Sequence, residues 1–137
     1  ELLYLVDEDT RAFDRILAAF GLPKGSDAEK AARAKAITEA TKGAINTPLR
    51  TMEVCVESMA LMQAMAETGL PASVSDAGVG AVCARAGAIA GYLNILINCS
   101  GLNDADFKTK VLAKAEALRS EAEALEADVM RVTLSKM

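Results

Sequence analysis

The chain contains no histidine and no tryptophan, and its aromatic residues are two tyrosines and three phenylalanines. The absence of histidine removes the commonest proton shuttle and the commonest metal ligand. Any acid or base must therefore be a carboxylate, a lysine, a cysteine or a tyrosine. We expect no metal site and no tightly bound cofactor.

Cysteine and positive charge are also scarce. Cys55, Cys83 and Cys99 are an odd set without close spacing, each in an apolar stretch, which indicates neither a disulfide framework nor a zinc site and favours a reducing cytoplasm. The 15 basic and 19 acidic residues give a net charge of -4. This balance offers no positive field for a phosphate backbone, so we expect no nucleic-acid partner.

No basic patch followed by an apolar run opens the sequence, so we expect no signal peptide. The most apolar stretch, residues 74–99, contains Asp76, Arg85, Asn94 and Asn98. Polar and charged side chains are costly inside a bilayer, and we therefore expect a buried helix here and no membrane partner.

Apolar residues recur at helical spacing along the whole chain, and no stretch shows the alternation of a strand. The 137 residues, 52% of them hydrophobic, suffice for one domain spanning 1–137. Caps and breaks predict helices at 2–20, from Ser26 with its capping-box partner Glu29 to Asn46, from Thr47–Pro48 to Gly69, from Ser73 or Ser75 to Cys99, and from Asn103 onward. The fold predicted is an all-α bundle of about five helices, with the fourth buried at the centre.

The last predicted helix has an apolar seven-residue repeat. Its members are Val111, Leu118, Leu125 and Val132, with Ala115, Ala122 and Val129 beside them. Such a repeat needs a partner helix. We expect this surface to form the contact of a homodimer or larger homo-oligomer.

Asp9 is the first candidate for chemistry. On a helical wheel it lies at the centre of the apolar residues of the first helix, which are Leu2, Val6, Phe13, Ile16, Leu17 and Phe20. An acid placed among apolar neighbours is expected to be held from water with a raised pKa, which suits a general acid near neutral pH. The alternative is an aspartate that only hydrogen-bonds to a neighbouring helix.

A second candidate is a stripe on the fourth helix, where Asp76, Gly80, Cys83, Gly87, Gly91, Asn94 and Asn98 follow one another at spacings of three and four. Small residues with polar ends could form a groove for a flat heterocycle, with Ser75 and Asp76 at one end. Glycines four residues apart equally favour close helix packing. Both interpretations remain open at this point.

Several segments resemble the cyclodeaminase domain of formiminotransferase-cyclodeaminase and its free-standing bacterial relatives, which include methenyltetrahydrofolate cyclohydrolases. The segments are residues 5–13 (LVDEDTRAF), 22–24 (LPK), 48–49 (PL), 69–71 (GLP), 73–79 (SVSDAGV), 94–98 (NILIN), 101–102 (GL) and 106–107 (DF). Together they cover essentially the whole chain. Members of this family usually begin with a glycine- and serine-rich segment and an apolar helix, so we expect that this chain lacks the first helix of the full domain.

This resemblance implies closure of 5-formiminotetrahydrofolate to 5,10-methenyltetrahydrofolate with release of ammonia, a step of histidine degradation. It further implies that Asp9 is the proton donor. We expect Ser75, Asp76, Asn94 and Asn98 to bind the folate substrate. The alternatives are a methenyltetrahydrofolate cyclohydrolase and a non-catalytic helical module that serves assembly only.

Overall fold

The computed structural model describes residues 1–137 and is all-α, as predicted. Its elements are α1 (Leu2–Phe20), α2 (Asp27–Thr68), a single 3-10 turn (Pro71–Ser73), α3 (Val74–Ser100) and α4 (Ala105–Ser135). Helix α2 packs against each of the other three helices, and α3 and α4 also pack on each other. The bundle is therefore organised around α2.

The predicted boundary at Thr47–Pro48 is wrong, because α2 continues through Pro48 for 42 residues. A proline inside a helix loses one backbone hydrogen bond and costs about 3 kcal/mol. The helix continues because Pro48 is itself buried and Ile45 and Met52, on either side of it, are fully buried. Burial of large apolar side chains on both sides of the proline offsets the lost hydrogen bond.

Sequence signals identify some helix starts well and others poorly. The capping box at the start of α2 is confirmed, since the Glu29 N–H donates to Ser26 Oγ at 3.2 Å and the Ser26 N–H donates to Glu29 Oε2 at 2.8 Å. Helix α4 is capped by Asp104 rather than Asn103, through the Phe107 N–H at 3.0 Å. Asp104 is also held in the capping position by an ion pair with Lys42 at 2.7 Å. The hydrogen bonds from Lys42 and from the Phe107 N–H lower the pKa of Asp104.

The apolar repeat of α4 is used inside the chain. Val111, Ala115, Ala122 and Val129 are buried, and the partly buried Leu118, Leu125 and Val132 pack on the core formed with α2 and α3. The partner helices that the repeat requires are therefore α2 and α3 of the same molecule. The expectation that this surface is an exposed oligomer contact is wrong.

Glycines bring α3 close to α2. A Cβ atom on Gly80 would lie 2.7 Å from Met62 Sδ, and one on Gly87 would lie 2.8 Å from Cys55 Sγ. At Gly91 it would lie 2.7 Å from Met52 Cγ and 2.9 Å from the Pro48 carbonyl oxygen. These distances are below van der Waals contact, so the glycine stripe serves helix packing over most of its length.

The face of α3 beside the glycine stripe is exposed, contrary to the expectation of a helix covered on all sides. We call this face the α3 stripe: Val79, Val82, Ala86, Ala90, Leu93 and Ile97. Val79 is 62% exposed and Ile97 is 70% exposed. Residues Pro71–Ser100 are long and apolar enough to cross a membrane by length and composition, and only 22% of the most apolar window is buried. Packing against α2 and α4 explains only part of this apolar character.

Replacing Gly91 with alanine tests the close approach of α2 and α3. We expect the Gly91→Ala variant to be destabilised by about 1–3 kcal/mol, because the new methyl group meets a backbone carbonyl that cannot move aside. Gly43 is the control, since nothing lies within 4 Å of a Cβ there. Gly43→Ala should stabilise α2 by about 0.5–1 kcal/mol. Urea unfolding that ranks the two variants equally would contradict this account.

Candidate active site in the cleft between α1 and α3

Helix α1 packs against α2 alone and does not reach α3. Its contact residues Leu5, Ala12 and Ala19 are buried at seven-residue spacing. Both ends of α1 are fixed to α2. Arg50 donates to both carboxylate oxygens of Glu1, at 2.6 and 3.0 Å, and Arg33 donates two hydrogen bonds to the Phe20 carbonyl, at 3.1 and 3.2 Å. The packing therefore leaves a cleft between α1 and α3 with α2 as its floor.

This cleft has a volume of about 480 Å³ and is lined by all three helices. Its walls are Leu2, Leu5, Val6, Asp9 and Thr10 from α1 and Gly87, Ala90, Gly91 and Asn94 from α3, and its floor is Thr47, Pro48 and Thr51 from α2. A second recess of about 240 Å³ is lined by Asp9, Phe13, Ile16, Ala44, Asn94, Ile97 and Asn98. Asp9 and Asn94 line both spaces, so the two form one continuous site.

Asp9 lines the cleft beside the apolar residues Leu2, Leu5 and Val6, but its side chain is exposed, so the expected burial is wrong for this chain. The reason is the packing of α1, because no element lies over the side of the helix that faces α3. Asp9 takes part in none of the hydrogen bonds or ion pairs of the chain. The neighbouring Glu8, by contrast, pairs with Arg11 at 2.6 Å, and this contact lowers the pKa of Glu8. Asp9 is thus the carboxylate of α1 that both lines the cleft and lacks a partner.

Asn94 and Asn98 act as a pair on the opposite wall. Asn98 Nδ2 donates to Asn94 Oδ1 at 2.6 Å and to the Asn94 carbonyl at 3.0 Å. The Asn94 side-chain oxygen therefore already accepts one hydrogen bond, and the Asn94 amide NH₂ remains available to donate into the cleft. Asp9 offers acceptors from one wall and Asn94 offers donors from the other.

The other two predicted binding residues lie elsewhere. Asp76 and Asn94 are 18 positions apart in one helix, which at 1.5 Å per residue separates them by about 27 Å. Ser75 lines a different groove, between α3 and the end of α4, and Asp76 lines neither part of the cleft. A shared helix face does not make a shared site, and in this chain Ser75 and Asp76 are not brought to Asp9.

The polar residues of the floor were not predicted. Thr47 and Thr51 line the cleft, and the Thr51 hydroxyl donates to the Thr47 carbonyl at 3.1 Å. In the sequence, Thr47–Pro48 has the pattern of a helix boundary. Its actual place in the middle of α2 could therefore not be recognised from the sequence. No group of three or more Cys, Asp or Glu side chains is placed to hold a metal ion.

Comparisons with known proteins agree on one group of relatives. Residues 1–117 match the family model described as formiminotransferase-cyclodeaminase. The chain is 41% identical over 133 residues to methenyltetrahydrofolate cyclohydrolase from Methylorubrum extorquens, which covers 97% of this chain and 64% of that protein. It is 34% identical over 122 residues to formimidoyltransferase-cyclodeaminase from Rattus norvegicus, which covers 89% of this chain and 23% of that protein. The chain thus spans less than two thirds of the length of either relative.

A solved structure shows the same fold. The crystal structure of formiminotetrahydrofolate cyclodeaminase from Thermotoga maritima matches with a TM-score of 0.82 and 23% sequence identity. The match covers 98% of this chain and 63% of that one. At this identity the likeness concerns the arrangement of the helices.

Proposed function

Because the chain belongs to the formiminotransferase-cyclodeaminase family, we propose that it acts on the one-carbon unit carried by N5 and N10 of tetrahydrofolate. The observation that supports this proposal is the placement of Asp9 opposite Asn94 and Asn98 in an open cleft with apolar walls. A flat heterocycle can lie between such walls, with amide and carboxylate groups at its polar edges. Asp9 is the proposed acid, and Asn94 and Asn98 are the proposed substrate-binding residues.

The proposed role of Asp9 is to protonate the leaving nitrogen. In the cyclodeaminase reaction, N10 attacks the formimino carbon on N5, and the tetrahedral centre then expels ammonia once that nitrogen has gained a proton. In the cyclohydrolase reaction, water adds to the methenyl carbon, and the bond to N5 breaks as N5 takes up a proton. Both reactions need one proton donor beside a tetrahedral carbon with a poor leaving group.

Binding of the substrate itself would cover Asp9. The side chain is exposed because the cleft is open, and a pterin lying between α1 and α3 would replace water on the side of the carboxyl that faces α3. Leu2, Leu5 and Val6 border the same space and would exclude water further. Positioning of the reacting nitrogen between the two walls would add to the contribution of the acid.

Two reactions are candidates, and a separate observation favours each. The match of residues 1–117 to the formiminotransferase-cyclodeaminase family model and the 34% identity to formimidoyltransferase-cyclodeaminase favour cyclodeaminase, which would place the protein in histidine degradation. The identity of 41% to a methenyltetrahydrofolate cyclohydrolase favours the reaction with water. The geometry of Asp9 serves either one, so an assay must separate them.

Supplying 5-formiminotetrahydrofolate to the purified protein separates the two reactions. A cyclodeaminase should produce methenyl absorbance and release ammonia in equal amounts, whereas a cyclohydrolase should leave this substrate unchanged and remove the absorbance of added methenyltetrahydrofolate. If neither change occurs although a tetrahydrofolate analogue binds in calorimetry, the acid–base proposal is wrong. If the analogue does not bind either, the protein is a non-catalytic module.

Replacing Asp9 tests the proposed acid. We expect the Asp9→Asn variant to lose about 10²–10⁴-fold in kcat, because the amide cannot donate a proton to the leaving nitrogen as the carboxylic acid does. Asp14→Asn is the matched control, since Asp14 is also an exposed carboxylate of α1 but does not line the cleft. Circular dichroism should show equal helical content in both variants. Full turnover by Asp9→Asn would remove Asp9 from the mechanism.

The protein is further proposed to act as a homodimer through the α3 stripe rather than through α4. Ala90 and Ile97 of the stripe also border the cleft and the adjoining recess, so the second copy would lie beside the substrate site. The stripe is symmetric in size, with two large residues at each end and Ala86 and Ala90 in the middle. In an antiparallel pairing about a two-fold axis, Val79 would therefore meet Ile97 and Ala86 would meet Ala90, so that every contact forms twice. The stripe extends over about 27 Å, which offers a second copy a long apolar contact.

A charge in the α3 stripe should break this dimer. We expect the wild-type protein to have the mass of a dimer in light scattering and the Val82→Asp variant to be a monomer, because the carboxylate would be buried without a partner. Leu61→Asp is the control, since Leu61 is 68% exposed on α2 outside the stripe. A wild-type monomer, or a wild-type protein that binds lipid vesicles without dimerising, would contradict the proposed interface.

A further inference from the structure

Pro48 leaves one backbone carbonyl of α2 without its partner in the helix. In an α-helix the Ala44 carbonyl accepts from the N–H of residue 48, and a proline has no N–H. No side chain donates to this oxygen in its place. The nearby hydroxyl of Thr51, for example, donates to the Thr47 carbonyl at 3.1 Å. The Ala44 carbonyl oxygen is therefore an acceptor that the bundle itself does not use.

The direction of the helix places this oxygen at the candidate site. A helical carbonyl points along the axis toward the residue four positions on, which is Pro48. Ala44 is only 7% exposed and lines the recess beside the cleft, whereas Pro48 lines the cleft itself. The oxygen therefore lies where the two spaces meet, and Asp9 and Asn94 border both of them.

The amides on the opposite wall do not occupy this oxygen. The glycines of α3 meet residues of α2 in reverse order along the chain, in the pairs Gly80 with Met62, Gly87 with Cys55 and Gly91 with Met52. In this antiparallel register the turn that contains Ala44 lies opposite Asn98. Asn98 Nδ2 already donates to the Asn94 carbonyl and to Asn94 Oδ1. The Ala44 oxygen is thus left for a donor from outside the chain.

We propose that the Ala44 carbonyl, freed by Pro48, accepts a hydrogen bond from the group that attacks the one-carbon unit, while Asp9 protonates the nitrogen that leaves. The inference rests on the proposed function and adds to it an acceptor for the nucleophile. The attacking group is N10, which carries one hydrogen, in the cyclodeaminase reaction. In the cyclohydrolase reaction it is a water molecule. In both, the attacking atom becomes positively charged as its new bond forms.

The carbonyl acts on this charge without taking the proton. As N10 bonds to the carbon of the protonated formimino group, the electron pair of the C=N bond moves to the formimino nitrogen. The hydrogen bond from N10–H to the carbonyl orients the N10 lone pair beforehand and then stabilises the positive N10. Asp9 protonates the formimino nitrogen, and the bond from carbon to that nitrogen breaks. Ammonia leaves with the electron pair, and the N5 lone pair restores a double bond to the carbon. The N10 proton passes to the Asp9 carboxylate and restores the acid.

Water takes the place of N10 in the second reaction. One water O–H donates to the carbonyl while the oxygen bonds to the methenyl carbon. Of the two water protons, one reaches N5 through Asp9 as the bond from carbon to N5 breaks, and the other is released to solvent. The same acceptor therefore serves either reaction.

A backbone carbonyl of α2 suits this role because its dipole is fixed before the reaction begins. The helix continues on both sides of Pro48, and the side chains of Ile45 and Met52 are fully buried. The Ala44 oxygen therefore cannot turn away from the site. A dipole that needs no reorganisation stabilises a developing charge more effectively than a mobile group does.

Replacing Pro48 tests the inference, because any other residue restores the N–H that pairs with the Ala44 carbonyl. We expect Pro48→Ala and Pro48→Val to lose about 10–100-fold in kcat. KM should rise by only about fivefold, because the neutral group of the bound substrate donates a weaker hydrogen bond. Both variants should keep their helical content in circular dichroism, since alanine and valine are better tolerated inside a helix than proline. Pro71→Ala is the control, since Pro71 is exposed and lines neither space.

The pair of variants separates the new N–H from the lost ring. Valine restores most of the volume of the proline side chain, so similar losses in both variants would support the inference. A loss in Pro48→Ala that Pro48→Val recovers would overturn it, because the volume of the floor would then be the cause. An unchanged kcat in both variants would also overturn it.

A binding measurement separates this inference from the proposed function. In calorimetry, tetrahydrofolate, which carries N10–H, should bind the wild-type protein about fivefold more tightly than 10-methyltetrahydrofolate. The preference should disappear in both Pro48 variants, whereas a steric effect of the methyl group would remain. Where turnover occurs, the kcat of the variants decides the matter. Where no turnover occurs, a preference that depends on Pro48 would sustain the acceptor and refute the reaction, and its absence would overturn both.

Discussion

The close contact of α2 and α3 at Pro48 and Gly91 determines the position of the candidate site. A side chain at Gly91 would meet the Pro48 carbonyl at 2.9 Å, so only glycine allows the two backbones to lie this close. Asn94 follows Gly91 by three residues, and the contact therefore sets its height above the floor formed by α2. The proline that reads as a break in the sequence is a buried part of that floor.

The second determinant is that α1 packs on one helix only. Leu5, Ala12 and Ala19 use one narrow line of α1 for contact with α2, and the larger apolar residues beside that line remain exposed, such as Val6 at 65% and Phe13 at 59%. Such exposure is unusual for a helix whose apolar side is used only in folding. The exposure of these residues agrees with a cleft that a bound ligand would cover. The narrow contact line of α1 also explains why Asp9 can lie on an apolar face of the helix and still be exposed.

The sequence predicts local features of this fold better than distances within it. The capping box of Ser26 and Glu29 is visible because its two hydrogen bonds join residues three apart. The continuation of α2 through Pro48 depends on burial of Ile45 and Met52 by other helices, which no local pattern contains. Periodicity correctly placed Asp76 and Asn94 on one face of α3, but it carries no information on whether that face forms one site. The burial expected for Asp9 failed for a related reason, because a wheel shows which residues share a side but not what covers them.

Two arginines of α2 hold the two ends of α1. Arg33 fixes the end of α1 by donating two hydrogen bonds to the Phe20 carbonyl. Arg50 fixes the start of α1 through Glu1 and also pairs with Glu53 and Glu57, and these carboxylates raise its pKa further above its ordinary value. Asp9 lies between these two anchors on a helix whose only packing partner is α2. Because α1 packs on α2 alone, these two anchors and the buried residues Leu5, Ala12 and Ala19 together set the position of Asp9 across the cleft from Asn94.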